Sequence, residues 1–375
     1  MEVGLLTYGL DRPIGGISRY TVDLIHALSS TACRSVLDIT LLTTSSLAAS
    51  PIGSSVASHR LAASRRLPGL MTWGNVALRQ AAQRLDLDVI HDPTGLTPFL
   101  FGAGRARTVV TVHDVFAWSI PGHSTLADML IYRHWLPRVL PRVDAVITIS
   151  QVSRADIVQH LRIPPQKIHI VYRCVGEGYH PVSDPQIAQV RKTYGLPQSY
   201  FLFVGSVEER KNLQRILRAA SQLWQSGERR PLVVVGARRW KYTQIMNTVQ
   251  ELNLERHVIF TGHVPDADLP AIYSGADLFV FPSLYEGFGL PPLEAMACGT
   301  PVVTSNTSSL PEVVGDAAIT VDPYDVEALT EAMRRVLSDA DLADDLRQRG
   351  LERAARFTWD QAARETIDVY REVLS

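Results

Sequence analysis

The chain has 375 residues, which is more than one hydrophobic core usually organises and favours two α/β domains. With 46% hydrophobic and 20% charged residues and a net charge of −1, the composition is that of a globular protein. No apolar stretch approaches the roughly 20 residues that span a bilayer, and no basic segment precedes the first apolar run, so we expect neither a membrane anchor nor a signal peptide.

Three cysteines, Cys33, Cys174 and Cys298, lie far apart in the sequence without a CxxC pair. This spacing argues against a zinc site or a disulfide framework and favours a reducing cytoplasm.

Short apolar runs alternate with helical patterns along almost the whole chain. In the first half we predict strands at 3–8, 39–43, 89–90, 108–112, 145–149 and 168–171. Helical patterns lie between them, for example at 18–30 and 153–160. The stretch 172–184 reads as a linker, and strands are then predicted at 201–204, 232–235, 257–261, 278–281, 301–303 and 318–320. Strands joined by helices imply two parallel sheets, and such sheets bind ligands at the carboxyl ends of their strands.

Two glycines follow the first predicted strand, in the segment Arg12-Pro-Ile-Gly-Gly. Gly15 and Gly16 permit a ligand to approach the start of the next helix, although a structural turn explains them equally well. The segment is not GxGxxG, so a dinucleotide-dependent dehydrogenase is disfavoured.

Two polar residues end later strands of the first half. His113 follows the strand at 108–112, where a ligand contact and a structural role are both open. Ser150 follows the strand at 145–149, and capping of the next helix is its favoured role.

The segment 126–142 mixes apolar residues with three arginines and a histidine. Such a stretch can lie on an anionic membrane, but packing of its apolar side on the core is the favoured reading, because a strand follows directly. Residues 1–178 carry 17 Lys and Arg against 12 Asp and Glu, and the remainder carries 20 against 26. A basic first half suggests an anionic partner such as a lipid phosphate, with ordinary surface variation as the alternative.

The densest pattern in the second half is the segment 283–299, which follows a predicted strand. Its glycines form a loop, Pro291 and Pro292 begin a helix, and Gly299 ends it. Glu286 then lies on the loop and Glu294 in the first helical turn. The backbone amides of Phe288, Gly289 and Leu290 are expected to form an anion site at the helix start.

Glu286 and Glu294 could be a pair of acid and base groups. Both, however, are expected near the positive end of the backbone dipoles at the helix N-terminus, so we expect them to stay ionised. Ionised carboxylates accept hydrogen bonds from the hydroxyls of a ribose or a sugar. The plainer alternative is that Glu294 only favours the helix N-terminus electrostatically.

Seven residues separate Glu286 from Glu294, and this spacing resembles the E-x7-E motif of the family-four retaining glycosyltransferases, which have the GT-B fold. Three further segments are similar to that family, namely 201–213, 260–264 and 305–318, and the resemblance extends over essentially the whole chain. It implies two Rossmann-like domains whose parallel sheets face each other across a cleft. We place them at 1–175 on the acceptor side and at 176–356 on the nucleotide-sugar side, with 357–375 as a helix that returns to the first domain.

The resemblance also implies roles for single residues. Glu294 corresponds to the ligand of the ribose hydroxyls, Glu286 to the glutamate beside the donor sugar, and Lys211 to the diphosphate lysine. Many members carry arginine where this chain has Ser206, and Arg210 is expected to supply that second charge. Further donor contacts are implied for Gly15, Gly16, Val264, Phe288, Gly289 and Leu290, and His113 is implied near the donor sugar and the acceptor.

We expect Lys211 to lie off the apolar face of its helix with its charge available to the cleft, so that its loss would barely change stability but would lower transfer by orders of magnitude. Free exposure to solvent, with no effect on transfer, is the plainer alternative. In this family the acceptor hydroxyl is described as attacking the anomeric carbon from the same face from which the leaving group departs. The leaving phosphate helps to deprotonate the acceptor. No metal or other cofactor is expected.

The expected function is transfer of a hexose, mannose from GDP-mannose by resemblance to bacterial mannosyltransferases, to a glycan or a lipid-linked acceptor. UDP-sugars stay open as donors, and a sugar-nucleotide epimerase or a non-catalytic binding module are the rival classes. We expect a cytoplasmic protein, with peripheral contact at the inner face of the membrane as an open alternative and no nucleic-acid partner.

Overall fold

A computed structural model of the chain describes residues 1–7, 15–30, 33, 35–44, 56–62, 73–96, 98–119, 129–237 and 242–375. Their contacts divide the chain into two units. The N-terminal unit comprises Met1–Cys174 and Thr358–Ser375, and the C-terminal unit comprises Val175–Phe357. These limits differ by one residue from the domain limits that we predict from the sequence.

The N-terminal unit is built on a parallel sheet of seven strands, in the order β3-β2-β1-β4-β5-β6-β7 within its described residues. The strands are β1 (Glu2–Leu6), β2 (Asp38–Thr43), β3 (Ala57–Arg60), β4 (Val89–Asp92), β5 (Arg107–Val112), β6 (Ala145–Thr148) and β7 (Ile168–Ile170). The described helices before the linker are α1 (Gly16–Leu28), α2 (Trp73–Arg84), α3 (Phe116–Ser119), α4 (Leu136–Val139) and α5 (Gln151–Leu161).

The C-terminal unit contains a second parallel sheet, of six strands in the order β10-β9-β8-β11-β12-β13 over the residues described. These strands are β8 (Phe201–Val204), β9 (Leu232–Val235), β10 (Val258–Gly262), β11 (Leu278–Phe281), β12 (Val302–Ser305) and β13 (Ile319–Val321). The helices are α6 (Asp184–Tyr194), α7 (Leu213–Gln225), α8 (Tyr242–Glu251), α9 (Leu269–Ser274), α10 (Leu290–Ala297), α11 (Leu310–Val314), α12 (Val326–Ser338) and α13 (Ala340–Ala354).

The last helix, α14 (Trp359–Leu374), belongs to the N-terminal unit. Thr358 caps it by accepting a hydrogen bond from the Gln361 amide. On its buried side the Tyr370 hydroxyl lies 2.7 Å from Nδ1 of His91, whose Nε2 lies 2.8 Å from the Thr111 hydroxyl. Both ring nitrogens of a buried histidine are therefore satisfied, which ties α14 to β4 and β5.

The twelve predicted strands are confirmed, with ends that differ by up to two residues, and Tyr8 lies outside the described residues. Strand β3 was missed because its four residues are half-buried or exposed and carry no apolar alternation. Helix α1 begins at Gly16 rather than at residue 18, and α5 begins at Gln151 rather than at residue 153. Capping by Ser150 is confirmed, since its hydroxyl accepts a hydrogen bond from the Ser153 amide.

The favoured reading of the segment 126–142 is also confirmed for its described part. Leu136, Val139 and Leu140 are buried in the core, and Ile131 and Trp135 pack against it. Residues 126–128 lie outside the described residues.

Candidate active site

Three loops meet at the carboxyl edge of the C-terminal sheet, because β8, β11 and β12 are neighbours and parallel. The loops follow Val204, Phe281 and Ser305. Side chains that are far apart in the sequence are thereby brought together, and these loops carry most of the residues predicted from the sequence.

The loop after β8 ends in a tight turn, Glu209–Lys211, followed by Asn212 in a left-handed conformation with φ 62°. The Asn212 side chain donates hydrogen bonds to the carbonyls of Pro282 and Pro323 at 2.9 and 2.7 Å. Asparagine tolerates this backbone conformation better than most residues, and its buried amide fixes the loop against the loop after β11.

Glu286 is the centre of a buried ion cluster formed by Glu286, Lys211 and Arg210. Its Oε1 accepts hydrogen bonds from Lys211 Nζ at 2.6 Å and from the Ser283 hydroxyl at 2.7 Å. Its Oε2 lies 3.3 Å from Nη1 of Arg210. The carboxylate therefore bridges the two cations that we predicted to bind a diphosphate.

Burial alone would raise the pKa of Glu286, but the charges of Lys211 and Arg210 outweigh it and hold the pKa below its ordinary value. Glu286 is ionised at neutral pH, as the sequence predicts. The cause, however, is the charge of two neighbouring side chains, Lys211 and Arg210, which the sequence argument from backbone dipoles did not include. A carboxylate held in this state can accept hydrogen bonds and does not serve as a proton donor.

The alternative that Lys211 is freely exposed to solvent is wrong, and its burial removes the basis for expecting an almost unchanged stability. Lys211 is buried, its Nζ is paired with Glu286, and the same Nζ lies 5.0 Å from the centre of the Phe281 ring. Its partner lies 75 residues along the chain, so the helical pattern around Lys211 gave no sign of the contact.

Arg210 has a partner that sequence reasoning missed. Its Nη2 donates to Oε1 of Glu208 at 2.9 Å, and its Nη1 donates to the Tyr285 carbonyl at 2.7 Å. Glu208 thereby orients the guanidinium, and the only sequence signal for this contact was a carboxylate two residues before the arginine.

Gly289 precedes α10 with φ 106°, and an added Cβ would lie 2.6 Å from Cδ2 of Leu310. A residue with a side chain would be strained by this φ, and the Leu310 side chain would have to shift to admit its Cβ. Because α10 begins at Leu290 and not at a proline, Glu294 is its fifth residue and lies in the second turn, which corrects the predicted first-turn position. The buried Glu294 Oε2 accepts a 2.9 Å hydrogen bond from the Tyr273 hydroxyl of α9, a partner that no local pattern indicated.

The loop before α10 is supported by serines from the loop after β12. The Ser309 hydroxyl lies 2.8 Å from the Glu286 carbonyl and 2.7 Å from the Phe288 carbonyl, and the Glu286 amide donates to the Ser308 hydroxyl at 3.0 Å. We noted this segment only for its family resemblance, and the structure gives it the role of positioning the motif.

The other predicted donor contacts of this unit lie on the same sheet edge or beside it. Phe288 is buried against the Phe357 ring, Leu290 is half-buried at the first position of α10, and Val264 is buried two residues after β10. Their contacts with a donor stay predictions.

His113 lies at the carboxyl end of β5 in the N-terminal unit. Its Nε2 donates a hydrogen bond to the Pro93 carbonyl at 2.9 Å, and its Nδ1 has no hydrogen-bond partner among the described residues. Burial and the charge of Arg173 lower the pKa of His113 to about 3. The ring is therefore neutral at physiological pH, with its remaining lone pair on Nδ1 available to accept a hydrogen bond.

Gly15 and Gly16 lie at the start of α1, and Gly15 has φ 105°. Nη2 of Arg173 donates to the Gly16 carbonyl at 2.7 Å, and the guanidinium lies 5.5 Å from the Tyr20 ring centre. The glycine turn thus has a structural partner, and ligand binding there stays a prediction. Arg12, in the same segment, lies outside the described residues.

Within the described residues there is no group of three or more His, Cys, Asp and Glu side chains that could hold a metal ion. All three cysteines are buried thiols without a disulfide partner. None of the helices in the described ranges is long and apolar enough to cross a membrane.

Comparison with known proteins gives the family. Residues 188–353 match the family of glycosyl transferases group 1, and residues 14–177 match Glycosyltransferase Family 4. The O-antigen chain mannosyltransferase B of Escherichia coli is 32% identical over 99% of this chain and 100% of its own length. This chain belongs to the family-four glycosyltransferases.

Solved structures agree on the fold of this glycosyltransferase. A sucrose-phosphate synthase from Thermosynechococcus elongatus matches with a TM-score of 0.79 and 23% identity, over 99% of this chain and 98% of that one. HepE from Anabaena, in complex with UDP and glucose, matches with a TM-score of 0.77 and 17% identity, over 99% and 100%. The predicted GT-B class with two Rossmann-like domains is confirmed.

Replacing Lys211 with alanine should destabilise the glycosyltransferase by about 3 kcal/mol, because it leaves part of a buried carboxylate unpaired. Urea unfolding measures this loss, and Lys192→Ala, at an exposed position of α6, should stay within about 0.5 kcal/mol of the parent. The double variant Lys211→Met/Glu286→Gln should recover most of the loss, because it removes both charges. A Lys211→Ala protein as stable as the control would contradict the buried pair.

The neutral His113 ring should make stability depend on pH. Because its folded pKa of about 3 lies below the unfolded value of about 6.5, the unfolded chain binds the proton first, and stability is lost as the pH falls from about 6.5 towards 3. Compared with His113→Gln, the parent should lose about 1.4 kcal/mol more per pH unit between about pH 6 and 4. Denaturant unfolding at several pH values tests this, and equal slopes would refute a neutral buried ring.

Proposed function

We propose that this glycosyltransferase transfers mannose from GDP-mannose, with retention of anomeric configuration, to a glycan or a lipid-linked glycan. The observation that carries the proposal is the buried ion cluster, which assembles two cations and a carboxylate at the sheet edge beside Glu294. The similarity to a bacterial O-antigen mannosyltransferase over the full length supports mannose as the sugar.

The donor would use the charges of the C-terminal unit. We assign the diphosphate to Lys211 and Arg210, the ribose hydroxyls to Glu294, and a donor-sugar hydroxyl to Glu286. Each role suits the chemistry of the side chain: two basic groups for phosphate oxygens and two carboxyl groups for hydroxyl donors.

In the transfer step, the bond between the anomeric carbon and the diphosphate oxygen breaks, and a bond from the acceptor hydroxyl oxygen forms on the same face. The acceptor proton passes to the leaving phosphate. Negative charge grows on that phosphate as the anomeric carbon becomes cationic, and Lys211 and Arg210 are fixed in advance to stabilise it. His113, which is neutral, is suited to accept a hydrogen bond from a sugar hydroxyl and not to supply charge.

We propose that no metal or other cofactor takes part, because the two cations supply the charge that a divalent ion would otherwise bring to the diphosphate. UDP-sugars are the second donor class, and the UDP named in the HepE complex is the observation that favours them. An epimerase would release a free epimer without an acceptor, and a binding module would not turn over donor.

GDP should raise the melting temperature more than UDP or ADP at the same concentration, because a ligand that binds only the native state stabilises it more the tighter it binds. With GDP-mannose and mannose-terminated oligosaccharides, free or lipid-linked, NMR of the early product should show retained configuration. Activity should persist with a chelator present, and Arg210→Ala should lower kcat by about 100-fold.

Three kinds of outcome would contradict the proposed donor, the proposed mechanism or the proposed class of reaction. A larger shift with UDP would move the donor to a uridine sugar, and inversion or strict dependence on an added divalent cation would refute the mechanism. Donor turnover that yields only free epimer would favour the epimerase.

Glu294→Gln should weaken GDP binding by about 10- to 100-fold, because a hydrogen bond to a charged group contributes about 1.5–3 kcal/mol. Calorimetric titration with GDP and with its 3′-deoxy analogue tests the assignment to the ribose. The parent should discriminate between the two, and Glu294→Gln should discriminate much less. Glu327→Gln, an exposed change in α12, should leave both affinities unaltered, and a parent that binds both nucleotides equally would refute the ribose assignment.

A further inference from the structure

One side of the N-terminal sheet is covered by α2 and the segment 129–143. Leu78 and Ala81 of α2 share a buried core with Leu136 and Val139 of α4, so both elements lie against the same side of the sheet. This packing accounts for the apolar side of the segment 129–142, and its arginines are exposed on the side away from the core.

The loop between β4 and β5 joins these two elements into one surface. Trp135 Nε1 donates to the Leu96 carbonyl at 3.1 Å, which fixes the loop to the segment 129–143. The Phe101 amide donates to the Asn75 side chain at 3.2 Å, which fixes it to the start of α2. We call this surface the basic face and define it by six side chains, Val76, Phe101, Leu130, Arg133, Arg138 and Arg142.

The basic face exposes large apolar side chains. Phe101 is 65% exposed, Leu130 is 62% exposed and Val76 is 46% exposed, so three of the most exposed large hydrophobic side chains of the described chain lie on this one surface. Single exposed apolar residues are ordinary, but several on one surface among charges indicate an interaction site.

The charge of this face has one sign. Helix α2 and the segment 129–143 contain five arginines and no aspartate or glutamate. Arg138 and Arg142 each donate to a backbone carbonyl one helical turn earlier, and Arg133 lies 5.2 Å from the Trp118 ring centre. Over the described residues, none of these three forms an ion pair with a carboxylate.

Three arginines of the C-terminal unit differ in this respect. Arg334, Arg347 and Arg349 lie on the exposed sides of α12 and α13, and each forms an ion pair with a carboxylate three or four residues away. These three arginines therefore provide a contrast to the basic face, because a nearby carboxylate neutralises each of their charges.

We propose that the basic face docks on an anionic lipid bilayer. Phe101, Leu130 and Val76 enter the boundary between headgroups and acyl chains, while Arg133, Arg138 and Arg142 extend to the lipid phosphates. Protruding apolar side chains among unpaired cations fit this interface better than they fit a nucleic acid or an acidic protein surface, for which charge alone would suffice. The contact is peripheral, and it goes beyond the proposed transfer reaction, on which it does not depend.

The test is co-sedimentation of the full chain with vesicles of phosphatidylcholine alone or mixed with phosphatidylglycerol. The parent should bind the mixed vesicles, should bind the neutral vesicles far less, and should be released by added salt. The triple variant Arg133→Gln/Arg138→Gln/Arg142→Gln should lose about 100-fold in partitioning, because each basic residue near an anionic surface contributes a factor of about five. The matched control, Arg334→Gln/Arg347→Gln/Arg349→Gln, changes the net charge by the same amount on the other unit and should bind like the parent.

A second pair of variants tests the apolar contribution. Phe101→Ser and Leu130→Ser should weaken binding while keeping its salt dependence, and both should keep the parental melting temperature, because the side chains are exposed. Three outcomes would each overturn the proposal. They are a parent that fails to bind anionic vesicles, an equal loss of binding in the two triple variants, and a Phe101→Ser/Leu130→Ser double variant that binds as well as the parent.

Discussion

The contact between Lys211 and Glu286 joins the loop after β8 to the loop after β11, and much of the site depends on it. Removing two charges from water costs several kcal/mol for each ion, and their attraction compensates only if further hydrogen bonds satisfy the remaining polar atoms. Ser283 and Arg210 provide these contacts to the carboxylate. The cluster can persist only while both loops hold their conformations, so the ion pair and the loop geometry require each other.

This mutual requirement has a consequence for catalysis. Charges that stabilise a leaving group are most effective when they are already oriented, because no reorganisation is then needed in the transition state. Glu286 contacts both Lys211 and Arg210 and so fixes the two cations relative to each other. The carboxylate thus acts first as an anion that keeps two cations together, and this agrees with a pKa that is held low in spite of burial.

The fold was predictable because its signal is local, while the partners within the site were not, because they come from distant segments. Buried strands appear as short apolar runs between helices, whereas β3, at the sheet edge, has no such run. Glycine and proline placed Glu286 on the loop and Glu294 in the following helix, although one turn too early. The burial of Lys211 and the contact of Tyr273 with Glu294 depend on strand order, which brings together residues 75 and 21 positions apart.

The net charge of each half of the chain is a weaker guide to binding than the way its charges are paired. On α12 and α13 of the C-terminal unit, Arg334, Arg347 and Arg349 lie beside carboxylates, which cancel their field within about one Debye length, roughly 8 Å in physiological salt. On the basic face of the N-terminal unit the helix supplies carbonyls as partners and no carboxylate. A carbonyl orients a guanidinium without neutralising it, so the positive field extends outwards, which is the property that an anionic surface recognises.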